Sequence, residues 1–245
     1  MARLLVGIAL LPTSAVAVWA ASEAVLRLTS HGAAWPFLAG MAASAALWAF
    51  FRYGLETRES PGGRVAALAT RLHVLAHELT HAVAAWTVGA KVLDLKVGED
   101  GGHVDLSHSN AFVALAPYCV PFYTLAVVGG YRALLYFKPA VGGRGPFLAL
   151  MGASIAFHLV KTFESLWDVE QPDLPAAGGV VFSLSIILLA NAVVVLALVK
   201  ALFPAAVDAG AAARLAASRS KAFWLGLYGL VAPLRRTFVA QLKKP

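Results

Sequence analysis

His77-Glu78-Leu79-Thr80-His81 sets two imidazoles four positions apart with a carboxylate beside the first. Residues i and i+4 share one face of a helix, so both rings can grip a single metal ion. The adjacent glutamate then reaches a water at the metal and can act as its general base. Zinc suits such donors and brings water towards ionisation near a pKa of ~7, so the pattern points to hydrolysis. The motif lies between Val74-Leu75-Ala76 and Ala82-Val83-Ala84-Ala85-Trp86, inside a hydrophobic run. An ionised side chain at the centre of a membrane span costs about 2.5–3.5 kcal/mol, which makes a carboxylate flanked by two histidines a functional group by default. A polar network joining helices is the structural alternative.

A catalytic zinc takes three protein ligands and leaves one position open, so a further donor must come from elsewhere. The acidic stretch Glu164-Ser165-Leu166-Trp167-Asp168-Val169-Glu170-Gln171-Pro172-Asp173-Leu174 is the nearest source. Asp173 is the first candidate, Glu164 and Asp168 are alternates, and His103, His108 and His158 also offer imidazoles. His73 falls one turn before His77 on the same stripe, where it is expected to support the site or to pack. Cys119 is the only cysteine, which excludes an intrachain disulfide and a cysteine-cluster metal site.

The elements that must position these groups are membrane helices. Of 245 residues, 60% are hydrophobic and 13% charged, with a mean hydropathy of +0.74. A soluble domain carries about 25% charged residues. A span needs ~20 apolar residues, and six segments approach that, roughly 4–27, 35–54, 65–88, 110–137, 147–167 and 178–203. The expectation is an all-α polytopic protein with about six transmembrane helices in one membrane-embedded domain, 1–203, followed by a basic amphipathic tail, 204–245. Residues 1–20 also carry features of a secretory signal, but the apolar run continues through Val25 and Leu26, beyond a usual signal core of ~7–15 residues. The net charge of +7 does not form one basic face, which argues against nucleic acid. Arg52, Arg58, Arg64, Lys138, Arg144 and the tail basics instead sit beside the spans, as orientation signals and lipid contacts. Six passes with both ends inside satisfy that bias.

Between the third and fourth segments, Lys91 to Val97 alternates polar and apolar residues, Gly98-Glu99-Asp100-Gly101-Gly102 is turn chemistry, and His103-Val104-Asp105-Leu106 can return. That predicts a short β-hairpin. Pro117 and Pro121 should bend or break the fourth span near Tyr118. Intramembrane Asn191 is expected to join helices or to line a water path. After Phe203, an Ala-rich stretch leads to Phe223-Trp224-Leu225-Gly226-Leu227-Tyr228 and then to Arg235-Arg236 and Lys243-Lys244, the pattern of an interfacial helix.

The intramembrane His77-Glu78-Leu79-Thr80-His81, the small-residue run Ala82 to Ala85 into Gly89, the hairpin segment and Gln171-Pro172-Asp173-Leu174 resemble the site-2 protease family of intramembrane metalloproteases. The likeness is to its small, all-membrane, bacterial-type members without a PDZ domain, and it covers roughly residues 64–200. It implies one zinc ion held by His77, His81 and Asp173, with Glu78 as the catalytic base. It also implies cleavage of a membrane-anchored protein substrate within the bilayer of a bacterial inner membrane. In the family a strand receives the unwound substrate by strand addition, a role that maps onto Leu93, Leu95 and Val97. The chain departs from the family pattern at Gln171, Leu174 and Thr80. The family's motif helix enters from the extracytoplasmic side, opposite to the direction that the charge count gives the third span. Two other functions compete. Glu164-Ser165-Leu166-Trp167-Asp168 resembles the Glu-x-x-x-Asp pattern of membrane zinc endopeptidases that process prenylated proteins, with Glu164 as ligand. A metal-binding scaffold or a transporter would use the same intramembrane His and Glu without proteolysis.

Overall fold

The computed structural model describes residues 1–53, 61–98, 101–139, 143–168 and 171–242, without the side chains of Pro61, Asp168 and residues 234–242. Nine α-helices and one hairpin are present among the described residues: α1 (Ala2–Arg27), α2 (Trp35–Tyr53), α3 (Pro61–Thr87), β1 (Val92–Val97), β2 (Gly102–Leu106), α4 (Ala111–Cys119), α5 (Phe122–Phe137), α6 (Arg144–Asp168), α7 (Asp173–Ala177), α8 (Val180–Leu202) and α9 (Ala209–Leu242). Four of the helices, α1, α2, α6 and α8, are long and apolar enough to cross a membrane, and the α4–α5 pair makes a fifth if it counts as one span. Outward faces carry large apolar side chains such as Leu5, Leu47, Phe50 and Val193, whereas many buried positions are Ala, Gly or Ser. That distribution suits a lipid surround, in which close packing of small residues drives helix association.

Six spans are not reached. The helix bearing the motif, α3, has 27 residues and is long enough, but its composition keeps it outside the apolar set. Arg64, Arg71, Glu78 and three histidines account for that. The fourth predicted span is broken, with α4 and α5 bent by 66°. The break falls at Val120–Pro121, where proline has no N–H to continue the ladder, while Pro117 sits inside α4 without ending it. The direction of α8 is a further correction. Arg3 donates to the Ala177 carbonyl at 3.0 Å, Gly7 abuts the Phe182 backbone, and Ser14 Oγ donates to the Ser185 carbonyl at 2.7 Å. Contacts advance together along both chains, so α1 and α8 run parallel, whereas strict alternation over six crossings would set the first and last antiparallel.

Glycine lets the helices approach backbone to backbone. A methyl on Gly40 of α2 would overlap the Ala149 carbonyl of α6, and one on Gly152 of α6 would overlap the Phe37 carbonyl of α2. Phe37, Leu148, Met151, Ile155 and Val199 close the core around this crossing. Gly40→Leu is therefore expected to cost at least about 1–3 kcal/mol through overpacking. A drop of several degrees in the thermal unfolding of detergent-solubilised protein is the reading that checks it. Helix α9 lies along α1, with the Arg219 guanidinium 4.2 Å over the Trp19 ring and Thr13 hydrogen-bonded to Ser220 at 2.6 Å.

Candidate metal centre

Three elements bring the site together. Helix α3 supplies His77, Glu78 and His81, the broken α4 backs them, and α7 delivers Asp173 from the far end of the sequence. Asn110 caps α4 by accepting from the Val113 N–H at 3.0 Å. Leu174 and Ala177 anchor α7 in a cluster with Tyr118 and Ile187. Gly178 and Gly179, at φ 130° and 105°, make the turn from α7 into α8 that a residue with a Cβ would resist. The Leu174 carbonyl accepts from Ser183 Oγ and from the Gly179 N–H, each at 3.0 Å, which fixes α7 to the start of α8.

The donor atoms converge. His77 Nε2 lies 3.4 Å and His81 Nε2 3.3 Å from the same oxygen, Asp173 Oδ2, and one ligand atom from each residue falls within 4.8 Å of the others. His81 Nδ1 is 2.9 Å from the Val113 carbonyl, which can only accept. Nδ1 therefore carries the proton, and a neutral His81 turns the Nε2 lone pair towards the carboxylate. Asp173 Oδ2 also accepts from the Tyr118 hydroxyl at 3.0 Å, and that hydroxyl lies 2.9 Å from Gln171 Oε1. With both imidazoles neutral and their Nε2 lone pairs turned inward, these three groups could hold a metal ion. Two nitrogens and one oxygen in that set are donors that zinc accepts, with room for a fourth ligand.

Glu78 is buried and shares with His77, His81 and Asp173 a cavity of about 440 Å³. The cavity's other wall is β2, from Gly102 to Leu106. A Cβ on Gly102 would stand 2.7 Å from Val74 Cγ1 and 2.9 Å from Glu78 Cγ, so the strand can lie against the motif helix only because this residue is glycine. The hairpin expected from the sequence is thus present, antiparallel with Leu95 opposite Val104 and Val97 opposite Gly102. Leu93, Leu95 and Val97 belong to β1, the strand that does not line the cavity.

The remaining sequence candidates divide clearly. Glu164 does not join the histidines: its Oε2 is 2.6 Å from Lys161 Nζ, and it lines a different cavity between α2, α3 and α6. The Asp168 side chain lies outside the described residues. His73 hydrogen-bonds Ser165 at 3.2 Å and sets its ring edge-on to His77 at 6.0 Å, so it supports the site without joining the donor group. His158 bonds Asn191 Oδ1 at 3.0 Å, and Asn191 Nδ2 donates to the carbonyls of Tyr118 and Ile187. Asn191 therefore clamps α4, α6 and α8 together behind the site. His103 lines the cavity but forms a separate group with Asp94 and Asp105 on the exposed hairpin. There the hydrogen bond from Lys96, 2.8 Å away, holds the Asp94 carboxyl below the usual carboxylate range.

Tyr118 is the residue that pattern reasoning passed over. Its signal was a phenol between two prolines in an apolar helix, since a buried hydroxyl needs a partner. Tyr118→Phe keeps the ring and removes the donor to Asp173. It is expected to weaken zinc binding by about 10- to 100-fold, measured by competition with a chelating dye.

Comparison of the chain with protein-family models, with curated proteins and with solved structures finds no match.

Proposed function

We propose that this chain is an intramembrane zinc metalloprotease that hydrolyses a peptide bond in or near a transmembrane segment of another protein. One observation carries the proposal: in a helical protein with four membrane-competent helices, His77, His81 and Asp173 converge within 4.8 Å beside the buried Glu78. Zinc in such a site supplies Lewis acidity, bringing water near to ionisation at neutral pH and polarising a carbonyl. His77, His81 and Asp173 would hold the ion. Val113 fixes the ring orientation of His81, and Tyr118 fixes Asp173. Glu78 takes a proton from the attacking water and returns it to the leaving amine, which completes hydrolysis without net proton change. The cavity walled by β2 admits the scissile segment, and the unpaired edge of that strand favours an unwound, extended substrate.

The resemblance to the site-2 proteases supports the same chemistry and a bacterial cell membrane as its setting. The prenyl-protein endopeptidase alternative loses its ligand, because Glu164 is engaged with Lys161 away from the histidines. The test is co-reconstitution of purified protein with single-span test substrates in lipid vesicles. Cleavage is expected to stop on zinc chelation and to return on zinc addition, and proteolysis that persists in the metal-stripped protein would contradict the proposal.

A further inference from the structure

A second cavity, of about 570 Å³, opens between the C-terminal half of α2, the first turns of α3 and the last turns of α6. It is larger than the cleft at the donor group and shares no lining residue with it. Two features set it apart from ordinary packing space. Trp48 Nε1 is buried with no hydrogen-bond partner among the described residues, and Trp48 lines this cavity. Lys161 and Glu164 also line it as an ion pair at 2.6 Å, with side chains only 12% and 23% exposed.

A buried indole N–H is unfavourable unless something accepts from it. An ammonium group carries three donors, and among the described residues one of those on Lys161 goes to Glu164. Among the described residues the cavity therefore presents spare donors and calls for an acceptor. Leu47 and Val65, both exposed at its margin, make the opening apolar. Trp48 and Arg52 close α2, a membrane-competent helix, with the residues typical of the headgroup level. Basic pockets between membrane helices bind lipid headgroups, and a volume within ~300–1,000 Å³ suits such a ligand.

We infer that this cavity binds an anionic phospholipid, its phosphate accepting from Trp48 Nε1 and Lys161 Nζ while an acyl chain leaves past Leu47 and Val65. The bound lipid braces α3 three turns before His77, and its binding does not depend on the protease proposal.

Native mass spectrometry of delipidated protein supplied with phosphatidylglycerol or phosphatidylcholine of identical chains tests the assignment. One phosphatidylglycerol should remain at energies that strip phosphatidylcholine. Trp48→Phe, which removes the N–H donor together with part of the ring, should weaken retention about tenfold. Glu164→Gln, which releases the Lys161 charge, should strengthen it. Equal retention of the two lipids would overturn the inference, as would displacement of phosphatidylglycerol by soluble glycerol phosphate, or a Glu164→Gln variant that binds no more tightly than wild type. Should Trp48→Phe fail to fold, the opposite sign expected for Glu164→Gln still decides the matter.

Discussion

Glu78→Gln is expected to retain its zinc and to lose about three orders of magnitude in peptide-bond cleavage, within the range of a removed general base. The amide keeps the size and the hydrogen-bonding reach of the carboxylate but cannot take a proton from water. Glu78 is buried beside the donor group without belonging to it, which is why the metal should stay. Parallel measurement of zinc content and of cleavage in vesicles separates the two properties. A variant that cleaves at the wild-type rate would remove Glu78 from the chemistry, and one that loses zinc would make it a ligand.

Asp173→Ala carries the second large effect. Loss of a mere support for a metal ligand costs about 10- to 100-fold in affinity, so loss of one of three ligands should exceed a hundredfold. The damage should extend to the histidines. Asp173 Oδ2 is the atom on which both Nε2 atoms converge, and without it Tyr118 loses its carboxylate acceptor. Glu164→Ala is the control, because its carboxylate faces Lys161 in another cavity. Metal analysis of both variants should find zinc depleted in the first and retained in the second. The reverse pattern would make Glu164 the ligand.

The half of the site borne on α3 was legible in the sequence for a local reason. His77, Glu78 and His81 are fixed relative to one another by helix geometry alone, so five consecutive residues carry the information. Asp173 was reachable through its position after a proline and before an apolar run, but its convergence with the histidines depends on α7 being anchored by Leu174, Ser183 and two glycines at positive φ. Tyr118 was not legible, since its hydroxyl meets Asp173 across 55 positions of chain. Which strand faces the site was equally hidden. Alternation specifies a hairpin, but the close approach of β2 to Val74 and Glu78 depends on the missing Cβ of Gly102. Hydropathy found the long apolar helices, four or, with the bent pair, five among the described residues where six were expected, and the parallel pairing of α1 with α8 leaves no trace in a window of composition. The break at Val120–Pro121 was expected within three residues, proline chemistry being local.

Metal analysis of protein purified without added chelator and supplemented with zinc, wild type beside His77→Ala, tests whether the two histidines and Asp173 hold a metal. The wild type should hold close to one zinc per chain and the variant almost none, with both eluting as the same folded species. A zinc-free wild type, or equal zinc in the two proteins, would contradict it.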